Sequence, residues 1–156
     1  MKSKRYEKFN MFTATVFWWI IIIGIIFVIF YGIEFGWKIR EYRYYSDEEN
    51  FMEITSEIDH ISWDDSEQRL YLGFSEIPEI FSDETFDIEG ENFQNVIDNG
   101  GEEYLKFGTR VTFVSAPRYF GDGYIMPIVA IKVDEKELLT YEAGYKDFIE
   151  SYHIFR

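Results

Sequence analysis

The residues best suited to recognise another molecule lie in one short stretch, Ser115–Tyr124, which reads SAPRYFGDGY. Its arginine carries a planar guanidinium that forks onto carboxylates or phosphates, and its aromatic rings can stack on sugars or apolar groups. The alternative is that Gly121-Asp122-Gly123 only turns the chain while the aromatic rings plug one end of the fold. Together with a tryptophan in the first predicted strand, the predicted partner-binding residues are Arg118, Tyr119, Phe120, Asp122, Tyr124 and Trp63.

The remaining reactive residue types stand in patterns that predict no reaction. Cysteine is absent, so disulfides, thiolate metal sites and a cysteine nucleophile are excluded together. His60 and His153 are far apart in sequence, and the acidic run Asp64–Glu67 lacks the alternating oxygen ligands, central glycine and distal glutamate of an EF-hand. No serine lies in a nucleophile elbow, and no glycine-rich phosphate loop occurs. We therefore predict no catalytic residue, no metal site and no cofactor.

Charge is distributed unevenly along the chain. Residues 1–43 hold seven Lys/Arg against three acidic residues, which gives +4, and the total of −14 then leaves −18 on residues 44–156. Such a field repels phosphate backbones and removes the electrostatic attraction that supplies most affinity for DNA or RNA. We expect no nucleic-acid partner.

A long uncharged stretch near the N-terminus predicts a membrane-spanning helix. No charged side chain occurs from Phe9 to Ile33, and the stretch is apolar on every side. About twenty such residues cross a hydrocarbon core of about 30 Å, and lipid selects a helix because each backbone N–H must be satisfied within the segment. The run is longer than that of a cleaved signal peptide and lacks a small-x-small motif after it. We predict an uncleaved signal anchor that contacts the bilayer from Phe12 to Ile33.

Basic residues around this helix set its predicted orientation. Cytoplasmic flanks of membrane helices are enriched in Lys and Arg. Four basic residues precede the helix and three follow it closely: Lys2, Lys4, Arg5 and Lys8, then Lys38, Arg40 and Arg43. We expect a single-pass protein of a bacterial plasma membrane, with its N-terminus in the cytoplasm and its C-terminal domain outside.

Patterns of hydrophobicity divide the rest of the chain. A basic tip (1–11) precedes the transmembrane helix (12–33), and a juxtamembrane stalk (34–51) that extends the helix leads to an acidic β-rich domain (52–156). Period-two alternation predicts strands and helical spacing predicts helices. The domain's predicted elements are a strand at 57–63 with a bulge between Ile58 and Ile61, strands at 70–74 and 85–89, a short helix carrying Phe93, Val96 and Ile97, strands at 109–115 and 124–133, and an amphipathic closing helix behind Thr140.

The order of three strands, a short helix and two strands resembles the OB-fold, a small five-stranded Greek-key barrel. The local pattern that supports the resemblance lies in Phe107–Phe113 and Ile128–Val133. We therefore predict a single transmembrane α-helix followed by a small β-rich (α+β) domain with a C-terminal helix, and the resemblance implies that this domain is an OB-fold-like five-stranded barrel. Element order alone fits a closed barrel and an open sheet with helices on one face equally well.

These expectations lead to a function of binding rather than catalysis. We expect a membrane-anchored extracytoplasmic interaction module that binds another envelope protein or a cell-wall polysaccharide. Confinement to a membrane raises the effective concentration of such a module toward other membrane-held partners. Two alternatives stay open: an accessory subunit that acts mainly through its transmembrane helix, and an envelope hydrolase that uses a close pair of carboxylates with shifted pKa values in a cleft.

Overall fold

The computed structural model describes residues 3–81, 85–117, 119 and 125–152, with side chains described from Thr15 onward except at residue 125. The chain divides into two compact units, Met1–Arg40 and Glu41–Arg156. The first unit is helical over its described residues, and the second contains all the strands that the structure describes. Each unit is described by itself below.

Helix α1 (Ser3–Tyr45) contains the whole uncharged stretch. Over Thr15–Tyr45 it is long enough and apolar enough to cross a membrane, by length and composition. Most of its apolar side chains from Thr15 to Trp37 are exposed, with Phe30 70% and Val28 73% accessible. The predicted extension of the apolar helix through Trp37 and Ile39 to Tyr45 is confirmed. The last turn of α1, Glu41–Tyr45, belongs to the second unit.

The second unit is built around a closed five-stranded barrel. Its strands pair in the order β3-β2-β1-β4-β5, and a parallel pairing of β5 with β3 closes the ring. The sequence fitted a closed barrel and an open sheet equally well, and the β3–β5 pairing shows that the barrel is closed. A sixth strand pairs with the C-terminal half of β5, along the same edge whose N-terminal half pairs with β3. The strands are β1 (Met52–Asp64), β2 (Arg69–Phe74), β3 (Thr85–Glu89), β4 (Arg110–Ser115), β5 (Ile125–Val133) and β6 (Lys136–Leu139).

Strand β1 belongs to both halves of the barrel because it bends at a bulge. Its first half, from Met52 to Glu57, pairs with β4, and its second half, from Ile58 to Asp64, pairs with β2. The register shifts between Ile58 and His60, which confirms the bulge predicted at this point. A bulge of this kind increases local twist and lets a strand turn a barrel corner.

Helices pack against several strands of the barrel. The predicted short helix is α2 (Gly90–Asp98), and the closing helix is α4 (Tyr141–Ser151) behind Thr140. The Thr140 side chain makes no capping hydrogen bond, so its role at the helix start is only conformational. Gly100 adopts φ +88° just after α2, a left-handed conformation that favours glycine, and a further short helix α3 (Gly101–Tyr104) follows. Two 3₁₀ turns complete the described elements, at Glu48–Asn50 and Glu79–Phe81.

The barrel interior is filled by aromatic rings and branched aliphatic side chains. Phe74 stacks on Phe113 with ring centroids 4.1 Å apart, and Phe86 meets both rings edge-on. Inward residues of β2 alternate with outward ones, so Leu70 and Leu72 are fully buried. The same alternation on β3 points Phe86 and Ile88 inward. Residues Asp87 and Glu89, which alternate with them, are therefore placed on the outer face of the barrel.

Candidate functional site

Of the six predicted partner-binding residues, the structure describes Tyr119 and Trp63; Arg118, Phe120, Asp122 and Tyr124 lie outside the described residues. Tyr119 packs against Tyr44, with ring centroids 5.2 Å apart, near the end of α1. Trp63 is half-buried and packs against Phe93 of α2 at 6.0 Å. The two residues thus contact different elements, and neither lines the cleft described next.

One wall of that cleft is an aromatic cluster where the last turn of α1 meets α4. Tyr45 is buried, at 3% exposure, and its ring meets Phe148 edge-on at 5.2 Å and Tyr152 at 6.4 Å. The Tyr145 hydroxyl donates to the Tyr45 backbone carbonyl at 3.1 Å. These contacts hold the cleft wall in place within the second unit.

Helix α4 reaches its position because Gly144 allows it to touch β5. A Cβ atom at Gly144 would lie 2.0 Å from the Val129 carbonyl oxygen, closer than any side chain permits. The Asn92 side-chain amide donates to the Gly144 carbonyl at 2.9 Å, and the Asn92 backbone N–H donates to the Asp147 carboxylate. The N-terminal turn of α2 is thereby fastened to α4.

Between α4 and the outer face of β2 and β3 lies a cleft of about 600 Å³. Its floor carries the outward residues of the two strands, and its walls carry rings from α1 and α4. A volume of this size suits a small ligand or one or two side chains of a partner. The lining residues are Glu41, Tyr45, Glu67, Arg69, Asp87, Glu89, Gly90, Asn92, Pro127, Ile128, Phe148, Ser151 and Tyr152.

Arg69 and Glu89 form the most direct ion pair of the floor. They lie opposite each other in the β2–β3 register, and the Arg69 Nε donates to the Glu89 carboxylate at 2.8 Å, with a second contact from the terminal guanidinium nitrogen. A hydrogen bond with Tyr71 and the charges of Glu89 and Asp87 raise the pKa of Arg69, so the guanidinium stays charged. Its hydrogen bonds are directed at Glu89 and Tyr71, and none reaches Asp87 among the described contacts.

The negative charge of Asp87 is therefore balanced less closely by Arg69 than the charge of Glu89 is. Its nearest described cation is the Arg69 Nε at 3.7 Å, beyond hydrogen-bond length, while the Asp87 side chain is only 10% exposed. Burial, and then the charge of Glu89, raise the pKa of Asp87 to about 7 despite the opposing effect of Arg69. Desolvation outweighs the ion pair because a charge loses most of its hydration when it is buried. Asp87 consequently exchanges a proton near neutral pH.

The rim of the cleft carries two further carboxylates that accept hydrogen bonds from tyrosines. The Tyr152 hydroxyl donates to Glu41, and burial followed by the Glu41 charge raises the pKa of Tyr152. The Tyr71 hydroxyl donates to Glu67 at 3.2 Å. The cleft thus holds four carboxylates and one guanidinium among its described lining residues.

The side-chain oxygen of Asn92 is a hydrogen-bond acceptor that has no donor among the described residues. The residue is 4% exposed and lines the cleft, and its side-chain oxygen has no hydrogen-bond partner among the described residues. The amide orientation is fixed, because its nitrogen donates to Gly144. A buried acceptor left unpaired costs about 1–3 kcal/mol, which a donor from a ligand or from water would relieve.

The part of the chain that the structure describes contains no group of side chains arranged as metal ligands. No three His, Asp or Glu side chains are arranged there to hold a metal ion. The acidic turn that begins at Asp64 is occupied locally: Asp64 accepts hydrogen bonds from the Ser66 and Glu67 backbone N–H groups at 3.0 Å. These are turn contacts.

Sequence reasoning missed the cleft, although it predicted the strands that form its floor. Arg69, Asp87 and Glu89 alternate with buried residues of β2 and β3, so their outward direction was readable from the pattern. Their pairing across the strands was not, because it depends on the β2–β3 register. The packing of α4 above them depends on Gly144, whose close contact with β5 has no local sequence signature.

Comparisons with known proteins add no assignment: no family model matches the chain, and no curated protein or solved structure shows a significant match. The site is therefore interpreted from its own geometry and charge.

Proposed function

We propose that this protein is a single-pass membrane protein that presents its barrel as a non-catalytic interaction module to another envelope protein or a cell-wall polymer. The observation that carries the proposal is the cleft over the outer face of β2 and β3. A walled cleft with charged and aromatic residues is typical of a place where a second molecule is held. The barrel's strand order, with β3 and β5 paired in parallel, supports an OB-type assignment, and OB-type barrels bind ligands on the face of strands 2 and 3.

Anchoring by α1 is the second part of the proposal. The length and mean hydropathy of the helix over Thr15–Tyr45 support a membrane span, and so does the lack of charged residues from Phe9 to Ile33. The excess of basic residues before the span supports a cytoplasmic N-terminus and a barrel outside the cell. Protease added to intact cells should digest a C-terminal tag; a tag that resists until lysis would reverse the orientation.

Site-specific photo-crosslinking in intact cells tests the contact surface. A photo-reactive amino acid at Ser151, which is exposed and lines the cleft, should trap one discrete partner. The same amino acid at Glu102, exposed on α3 and not among the cleft residues, should not. Equal trapping from both positions, or none from Ser151, would contradict the proposed surface.

An accessory subunit that acts through its helix predicts a different result. Deleting residues 52–156 would then leave the biological role intact, because the bare helix would still make the main contacts. We expect that deletion to abolish the role. Retention of function by the helix alone would replace the present proposal with the accessory one.

Carboxylate catalysis is a second candidate, favoured by the raised pKa of Asp87 in a cleft. We prefer binding because Glu89, the next outward acid on β3, is engaged by Arg69. The substitution Asp87→Asn distinguishes binding from catalysis. Catalysis predicts loss of biological activity with unchanged crosslinking from Ser151, whereas binding predicts that both fall together.

A further inference from the structure

We infer that the cleft is a receptor site for a cationic nitrogen group, a protonated amine or a guanidinium. The inference rests on the cleft proposed above as the contact surface, and it specifies the chemistry of what enters it. Three features of the described residues lead to it: the balance of charge, an unpaired acceptor and the aromatic walls.

The balance of charge in the cleft favours a cation. Four carboxylates line it, and the single guanidinium among its described lining residues, that of Arg69, is directed at Glu89. Asp87, 10% exposed and held only by a 3.7 Å ion pair, is the carboxylate with most to gain from a new donor. A buried carboxylate without a close hydrogen-bonded cation is stabilised when one arrives. An anionic ligand would instead face like charges.

The unpaired oxygen of Asn92 is a second acceptor beside the cleft; because the atom is buried, a donor must enter between the lining side chains to reach it. This oxygen can only accept, since the amide nitrogen of the same side chain is committed to the Gly144 carbonyl. Ammonium and guanidinium groups carry three and five N–H donors and no acceptor. They therefore match both the carboxylates and the amide oxygen, whereas the hydroxyl groups of a neutral sugar donate hydrogen bonds but bring no charge to balance the carboxylates.

The walls are suited to the same group. Phe148 and Tyr152 line the cleft with Tyr45 behind them. Aromatic faces attract cations, most strongly where water is displaced, and they accept the aliphatic stem of a lysine or arginine side chain. A basic segment of a partner protein and a free polyamine share this chemistry, and the experiment separates these two sources.

The test is a binding measurement on the full-length chain in a nonionic detergent at physiological ionic strength. The probe is a glycine-spaced peptide with two arginines and a neutral fluorophore, followed by fluorescence anisotropy. Its counterpart with citrulline in place of arginine has the same shape without the charge. We expect the citrulline peptide to bind at least about tenfold more weakly, as for loss of one charged hydrogen bond. Equal binding of the two peptides would overturn the inference.

Variants separate the cleft from the general acidity of the chain. Asp87→Asn should weaken the arginine peptide about tenfold. The double variant Glu102→Gln/Glu103→Gln removes two charges from exposed α3 and should change binding less than about twofold. A similar loss in both variants would mean nonspecific attraction and would contradict a site. Asn92→Ala should also weaken binding; where it fails to fold, Asp87→Asn decides alone.

Competition identifies the source of the cation. Unlabelled spermidine that displaces the peptide at lower concentration than the unlabelled peptide itself indicates a polyamine, and the reverse order indicates a basic protein segment; either result retains the cationic site. If every cationic probe fails to bind while a photo-reactive residue at Ser151 still crosslinks a partner, the inference of a cationic ligand is overturned and the proposed contact surface is kept. Failure of the probes and of crosslinking would overturn the proposed surface as well.

Discussion

Asp87 lies where ionisation of a carboxylate is costly. Its pKa rises to about 7 because of burial and the nearby Glu89, while Arg69 only partly compensates. The other charged or titratable groups among the described lining residues of the cleft are Glu41, Tyr45, Glu67 and Tyr152. Since the folded state holds the Asp87 proton more tightly than the unfolded chain does, Asp87 favours folding at low pH, and this contribution is lost as pH rises through about 7.

Asp87→Asn should therefore stabilise the second unit at pH 8 and have little effect at pH 4. The gain should grow between about pH 4 and pH 7 and reach at most about 4 kcal/mol, three pKa units at 1.36 kcal/mol each. Thermal unfolding followed by near-UV circular dichroism at several pH values measures it. Asp65→Asn, in the exposed β1–β2 turn, is the matched control and should show no such trend. A constant difference between Asp87→Asn and the natural chain across this range would contradict the assigned cause.

At the scale of elements, α4 is positioned by contacts that span the second unit. It packs on β5 through Gly144, is fastened to α2 through Asn92, and covers the ring of Tyr45. Each contact also forms part of the cleft or its support. The position of α4 therefore determines whether the cleft exists.

Gly144→Ala should displace α4 and destabilise the second unit. Its Cβ would overlap the Val129 backbone, which cannot rotate away as a side chain can, so a loss of about 2–3 kcal/mol is expected. Chemical denaturation of the full-length chain measures the loss. Gly36→Ala makes the same chemical change in α1, where a Cβ meets nothing within 4 Å, and should leave the unfolding of the second unit unchanged. Equal stability of the two variants would argue against close packing of α4.

Tyr45→Ala should loosen the last turn of α1 from α4. The substitution removes a buried ring and its contacts with Phe148 and Tyr152, for an expected cost of about 3 kcal/mol. Tyr104→Ala removes a ring that is 39% exposed and should cost under about 1 kcal/mol. Denaturant midpoints of the two variants provide the comparison, and similar midpoints would show that the Tyr45 ring contributes little.

An element could be predicted from the sequence when the pattern that indicates it lies within a few neighbouring residues. Strand β2 and helix α2 were predictable because their burial alternates or recurs within a few residues. Strand β6 was missed because four residues, Lys136–Leu139, are too few for a pattern, and the strand depends on a two-residue turn in which Asp134 adopts φ 51°. Barrel closure was undecided because the β3–β5 pairing joins residues about forty positions apart. The cleft required both kinds of long-range information.

At the scale of the whole molecule, charge and hydrophobicity separate the two units. The exposed apolar surface of α1 and the acidity of the second unit suit different surroundings, which is the basis of the proposed membrane anchor. An anchor of this type confers affinity for lipid through its uninterrupted apolar surface.

Ile22→Lys with Ile25→Lys should remove the chain from membranes. Each lysine near the centre of a span costs about 3 kcal/mol relative to isoleucine, so the pair opposes insertion by about 6 kcal/mol. Alkaline extraction and sedimentation of cell membranes measure the distribution. The natural chain and the Ile22→Leu/Ile25→Leu control should remain in the pellet. Recovery of the natural chain in the supernatant would contradict the anchor.

Closure of the barrel has a consequence for behaviour at high density. An unpaired strand edge is a template onto which a second chain can add, and proteins held on one surface meet their copies often. The parallel β3–β5 pairing removes two such edges, and the outer side of β6 is short, carries Lys136 and Glu137, and has its Leu138 carbonyl bonded by Asn99 at 3.1 Å. At the described edges of β3, β5 and β6, crowded copies of this chain would thus find no ready strand to extend, and self-association through these edges is disfavoured by the fold itself.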